Sequence, residues 1–134
     1  MSQENVEIVR DVFERWAAGD WNSALELFAS DVEWEVRTDL PDAEVYLGHD
    51  GLLRLAARFV EVVDEMWIRA EEFIPISGDA VLVPLRWGGR GRASGMDFEE
   101  SRETWTFTVR TDKIARVKEF ATREEALEAA GLSE

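Results

Sequence analysis

Two glutamates stand where an alternating strand pattern calls for apolar side chains. In the run Glu103-Thr104-Trp105-Thr106-Phe107-Thr108-Val109, the residues Trp105, Phe107 and Val109 share one parity and the three threonines share the other. That two-residue period belongs to a half-buried antiparallel strand. Glu103 has the parity of the apolar set. On the next segment, Ile114 to Ala121, the same counting sets Glu119 beside Ala115, Val117 and Ala121. A carboxyl in an apolar wall is costly to ionise, so its affinity for a proton rises, and a neighbouring arginine lowers it again. Such a group can move a proton next to a carbonyl with no cofactor, and two of them on adjacent strands can share one proton. The competing reading of Glu103 is an ion pair with Arg37, Arg58, Arg69 or Arg86. His49, the only histidine, completes the candidate catalytic set, since its ordinary pKa lies nearest neutrality. It precedes a helix, where a histidine can equally cap or pack.

Elements that position these groups can be read along the chain. Residues 4–18 carry Val6, Val9, Phe13 and Trp16 at helical spacing, the apolar stripe of an amphipathic helix. Gly19 ends it, and Asp20 is placed to cap a second, shorter helix. Asp31 to Arg37 alternates Val32, Trp34 and Val36 against charged residues, as a strand with one wet face does. Thr38 to Gly48, with Pro41, reads as a loop over a pocket mouth, and Tyr46 within it could hydrogen-bond a ligand. Leu52 to Val63 marks a third helix. Met66–Ile76 and Ala80–Trp87 read as the arms of a hairpin around Ser77-Gly78-Asp79, with Pro84 bulged or facing its nitrogen outward. Gly88 to Gly95 reads as a flexible connection into the strand of Glu103, with Arg90 and Arg92 solvated. Arg110-Thr111-Asp112-Lys113 reads as a hairpin turn. Thr122-Arg123-Glu124-Glu125 is a capping box for a terminal helix stopped at Gly131. This order predicts an α+β fold in which a curved, mostly antiparallel sheet wraps three N-terminal helices, with a short C-terminal helix.

The chain of 134 residues is expected to form one domain, 1–134. Its 29 acidic against 15 basic residues give a net charge of -14, which repels phosphate backbones and anionic lipid. Neither nucleic acid nor a membrane is an expected partner, and a cytoplasmic location is expected. With no cysteine and one histidine, no metal site is expected. Six tryptophans suit either a heavy core or an aromatic-lined cavity. The expected ligand-contacting wall is Trp16, Trp34, Val36, Phe59 and Trp87, continued by Trp105, Phe107 and Val117 and closed by Tyr46. Each of these residues, taken alone, also fits an ordinary core.

Several stretches carry a resemblance. They are Trp16-Ala17-Ala18-Gly19-Asp20-Trp21, Leu27-Phe28-Ala29-Ser30-Asp31-Val32-Glu33-Trp34, Tyr46-Leu47-Gly48-His49-Asp50-Gly51 and the tail Arg123 to Leu132. Together they resemble the SnoaL-like group of the nuclear-transport-factor-2-like superfamily. The resemblance implies a cone, a strongly bent sheet around helices with a deep apolar pocket at its wide end, and commonly a homodimer on the outer sheet face, which Thr104, Thr106 and Thr108 would suit. Matched to ketosteroid isomerase, the general base falls on Val36 and the oxyanion tyrosine on Val12, so that chemistry in its known form is not expected. The neutral carboxylic acid of that enzyme falls on or beside Glu103. The resemblance therefore leaves two functions open. One is a cofactor-independent lyase, isomerase or cyclase with Glu103 as general acid or base, tuned by Glu119. The other is a non-catalytic carrier of a small hydrophobic molecule.

Overall fold

The computed structural model describes residues 2–37, 44–76, 79–91 and 101–131. The expected pocket-mouth loop up to Ala43, the Ser77-Gly78 turn, and Arg92 with the rest of the connection to Glu100 lie outside the described residues, as does Leu132. The elements are α1 (Ser2–Ala17), α2 (Trp21–Leu25), β1 (Phe28–Glu35), β2 (Val45–Leu47), α3 (Gly48–Val62), β3 (Val63–Ala70), β4 (Ile74–Pro75), β5 (Ala80–Gly91), β6 (Ser101–Arg110), β7 (Lys113–Phe120) and α4 (Arg123–Ala129). The sheet runs β2-β1-β7-β6-β5-β3, with β4 beside β5. β3, β5, β6 and β7 form the expected meander. β1 lies parallel to β7 and every other pairing is antiparallel, so four helices accompany a mixed, curved sheet.

Local chemistry explains the corners. Asp20 caps α2 by accepting from the Ser23 N–H at 3.1 Å, and Thr122 caps α4 by accepting from the Glu125 N–H at 3.2 Å. Thr111 and Asp112 both sit at positive φ, 52° and 62°, between the paired Arg110 and Lys113. This is the two-residue turn whose twist matches antiparallel strands. Pro84 sits in β5 where the pairing with β3 ends at Leu85 and that with β4 ends at Leu82, so its missing N–H falls in a gap between partners. Its carbonyl accepts from the Glu71 N–H at 2.8 Å.

Three sequence expectations change. β5 continues through Gly88 to Gly91, pairing with β3, where a flexible connection was expected. Gly88 has its place because a Cβ there would stand 2.8 Å from the Trp67 ring. The expected pocket-mouth loop contains β2, paired with β1 through Trp34 and Tyr46. A bulge between Thr108 and Val109 makes Ile114, fully buried, the inward residue of early β7 in place of Ala115. Val117 and Glu119 keep the expected parity, opposite Phe107 and Trp105.

The core fills the concave side. Phe13 of α1 meets Trp16, Phe73 and Phe107 edge to face at 5.1–5.7 Å, the arrangement preferred by the ring quadrupoles. On the other face Glu35 accepts from Arg116 at 2.7 Å and faces Lys118 at 3.5 Å. Hydrogen bonding to Arg116, the largest influence, holds its carboxyl below the ordinary range. This clamp ties the parallel β1–β7 seam. Ala126 of α4 is fully buried, and α4 packs on β6 and β7.

Candidate functional site

The concave parity of three strands brings the two glutamates to one wall. Glu103 is 7% exposed and lies opposite Leu85 of β5. One of its oxygens, Oε1, accepts from the indole Nε1 of Trp105 at 2.8 Å, and Oε2 accepts from that of Trp87 at 2.8 Å. Arg37 NH1 reaches Oε2 at 3.4 Å, as does the Ser101 hydroxyl. Of the four arginines considered as partners from sequence, Arg37 is the one found in this contact.

Glu119, also 7% exposed, accepts from Trp34 Nε1 at 2.7 Å and from the backbone N–H of Arg37. Burial is the main influence on it and pushes its carboxyl up from 4.5 to about 7. The Trp34 bond opposes this, the Glu103 charge adds to it, and the Arg37 backbone bond and charge pull it down again. Arg37 thus joins the two carboxyls, by side chain to Glu103 and by backbone to Glu119. Both lie inside a lattice of donors, three of them indole N–H groups.

In front of this lattice is a cavity of about 550 Å³. Trp16, Trp34, Trp105, Phe28 and Phe59 line it together with aliphatic residues of α3 such as Leu52 and Leu55. Glu103 and Glu119 are absent from its lining. The indoles of Trp34 and Trp105 stand between, at 5.2 Å and 77° to one another, with their N–H edges turned to the carboxylates.

The remaining expected site residues divide clearly. Trp16, Trp34, Phe59 and Trp105 line the cavity. Trp87 is set behind Phe59, edge to face at 5.6 Å, and serves Glu103. Phe107 and Val117 are fully buried core, and Val36 packs half-buried against that core. Tyr46 is buried, and its hydroxyl accepts from Arg58. Burial first, then a bond to Glu44, pushes its pKa above the ordinary value. His49 lies inside α3, and its Nε2 meets the Phe28 carbonyl at 2.9 Å, so the ring donates there and ties the start of α3 to β1. The structure does not bring His49 to the glutamates through any recorded contact.

Sequence reading missed much of the cavity lining, including the α3 residues Leu52 and Leu55 and, beyond them, Trp21, Asp64 and Glu65. Trp21 is the first residue of α2 and 42% exposed; its place beside the capping Asp20 was the available signal. Asp64 and Glu65 carried none. A register shift in β3 between Asp64 and Trp67, with Glu65 at φ 53°, re-aims them as bulges do. Among the described residues, no group of three or more His, Asp or Glu side chains could hold a metal ion, and no helix is long and apolar enough to cross a membrane.

A bent mixed sheet cupping helices over an aromatic cavity defines the cone-shaped α+β class. The chain belongs to the SnoaL-like domain family, whose sequence model matches residues 9–117. Among solved structures it is similar to an NTF2-like protein from Burkholderia xenovorans, at 29% identity over 100% of this chain and 98% of that one, with a TM-score of 0.68. It is similar in fold to TerC co-crystallized with polyporic acid, at 22% identity, 93% and 96% coverage and a TM-score of 0.75. A third is a protein with a ketosteroid isomerase-like fold from Catenulispora acidiphila, in complex with trimethylamine, at 19% identity, 94% and 93% coverage and a TM-score of 0.72. A search of curated proteins finds no match.

Proposed function

We propose that this chain binds a small, largely apolar molecule in the cavity of about 550 Å³, and that Glu103 and Glu119 act as anchors for the indole wall. One observation carries this reading. The acceptor atoms of both carboxyls are engaged by indole N–H groups and by Arg37, while the surface offered to a ligand is mostly aromatic and aliphatic, with Asn22, Asp64 and Glu65 as its polar residues. The volume falls within the roughly 300–1,000 Å³ of typical ligand sites. Bound small molecules in two proteins of this fold, polyporic acid and trimethylamine, lend support. The test uses the neutral fluorescent probe N-phenyl-1-naphthylamine. Saturable one-to-one binding is expected, lost in Ala56→Trp, which fills the cavity, and kept within about threefold in Glu103→Gln. Absence of saturable binding, or binding indifferent to Ala56→Trp, would overturn the reading.

A second reading, acid–base catalysis, is favoured by one feature: burial pushes the Glu119 carboxyl up to about 7 beside the Glu103 carboxyl, whose charge adds to the shift, and a group so placed can both take and give a proton. It requires that a bound ketone exchange its α-hydrogens with deuterium oxide faster than in free solution, and that Glu119→Gln abolish the acceleration. Unchanged exchange in Glu119→Gln would remove it. Homodimerisation through the outer sheet face, where Thr106 and Thr108 are half-buried, belongs to the same proposal; a monomer in light scattering would dismiss that part.

A further inference from the structure

Charge and aromaticity are distributed unevenly around the cavity. Among the described residues, the charged side chains lining it are Asp64 and Glu65, both acidic, and no lysine or arginine lines it. Asp64 stands opposite Arg90 in the β3–β5 register. Glu65 is exposed and held at positive φ on the bulge that brings the segment to the cavity. The same cavity is lined by four indoles, Trp16, Trp21, Trp34 and Trp105. Trp16 and Trp21 lie at 5.6 Å and 30°, and Trp21 keeps 42% of its surface open.

The orientation of the inner indoles matters as much as their number. An indole has a negative face and a positive edge, the N–H being its most positive point. In Trp34 and Trp105 that positive edge is turned away from the cavity and bound to Glu119 and Glu103. Donation to a carboxyl pushes electron density back into the ring, and any negative charge carried by that carboxyl lies directly behind it. A cation in the cavity would therefore meet electron-rich indoles backed by carboxyls, with an acidic edge at Asp64 and Glu65. An anion would meet the same field with the opposite sign. The whole chain, at a net charge of -14, also draws cations toward the surface.

We infer that the cavity selects a hydrophobic organic cation, a substituted ammonium with apolar groups, over a neutral or anionic molecule of the same shape. The inference rests on the proposal that the cavity binds a small molecule, and it adds the chemical class. Quaternary and tertiary ammonium groups suit aromatic cages because they are weakly hydrated and spread their charge over methyl groups that touch the rings. A compact, strongly hydrated cation would lose too much hydration on entering a site with few polar groups.

The test compares benzyltrimethylammonium with neopentylbenzene, its neutral carbon isostere, by displacement of N-phenyl-1-naphthylamine from the native protein. The cation is expected to bind at least about tenfold more tightly, the scale of a partly desolvated cation–π contact. The preference, read as the ratio of the two affinities so that a general loss of apolar contact cancels, should fall severalfold in Asp64→Asn/Glu65→Gln and in Trp21→Leu. Equal affinity of the two probes would overturn the cation assignment and leave the apolar-ligand proposal standing. Failure of the native protein to bind either probe or the dye would overturn both. A preference untouched by either variant would overturn its assignment to these side chains. Circular dichroism of each variant separates loss of selectivity from loss of fold.

Discussion

Replacing Glu119 by glutamine isolates the energetic consequence of burying a carboxyl behind an indole. The folded protein holds this carboxyl at about 7 against an ordinary 4.5, with burial as the leading cause. Between those values the native chain keeps a proton that the unfolded chain has released. Stability from this group is therefore present at low pH and is lost as pH rises through the window from 4.5 to about 7. Each pH unit of that interval corresponds to about 1.4 kcal/mol, so the full loss is about 3 kcal/mol, most of it between pH 5 and 8. Glutamine resembles the protonated acid. Its oxygen can still accept from Trp34 Nε1, while one of the two bonds made by Glu119, to Trp34 or to the Arg37 backbone, loses its acceptor, a cost that does not vary with pH. The assay is urea unfolding, followed by tryptophan fluorescence, of the native chain and Glu119→Gln at each pH from 5 to 8. Carboxylates other than Glu103 contribute the same slope to both proteins, so the difference between the two curves reports Glu119 together with its coupling to Glu103. Glu119→Gln is expected to gain on the native chain by about 2–3 kcal/mol across that range. Parallel curves would refute the buried, proton-holding Glu119, and a difference of opposite sign would mean that the carboxylate is stabilised as an anion.

Further expectations follow from the same lattice and from one backbone contact. Trp105→Phe keeps the ring but removes the N–H that meets Glu103 Oε1 at 2.8 Å; leaving that buried oxygen short of a donor should cost about 1–3 kcal/mol in urea unfolding. Trp34→Phe removes a bond that lowers the Glu119 pKa, so the carboxyl ¹³C titration of Glu119 should move above its native midpoint. An unmoved midpoint would show that the bond does not act on the charged form. Gly51→Ala would set a Cβ 2.9 Å from the backbone carbonyl carbon of Tyr46. Backbone yields less readily than a side-chain tip, so α3 must shift off β2, at about 1–3 kcal/mol; native-like stability would argue that α3 has room to move.

How much of this was legible in the sequence depends on the range of the signal. Period-2 alternation placed Glu103 and Glu119 on the concave face, because strand geometry links parity to side. Capping and turn chemistry placed α2, α4 and the Arg110–Lys113 hairpin, because those signals act within four residues. Long-range partners were harder. That Arg37 would join both carboxyls depends on β1 running parallel to β7, and no local pattern carries that pairing. The bulge at Ala115 and the one at Glu65 each break the alternation without a glycine or proline to announce it, so the inward place of Ile114 and the cavity place of Asp64 were hidden. Gly88-Gly89 suggested a loop, whereas the strand continues there because the glycine makes room for Trp67. The indoles were legible as a group, but the direction of their N–H edges was not. That direction separates a wall anchored by carboxyls from a wall that exposes them.

A crystal structure of the protein with N-phenyl-1-naphthylamine bound tests that distinction most directly. The account expects the probe in the cavity against Trp16, Trp34 and Trp105, with the Trp34–Glu119 and Trp105–Glu103 bonds retained near 2.7 and 2.8 Å. A probe seated elsewhere, or indoles swung aside so that either carboxyl touches the probe, would contradict it.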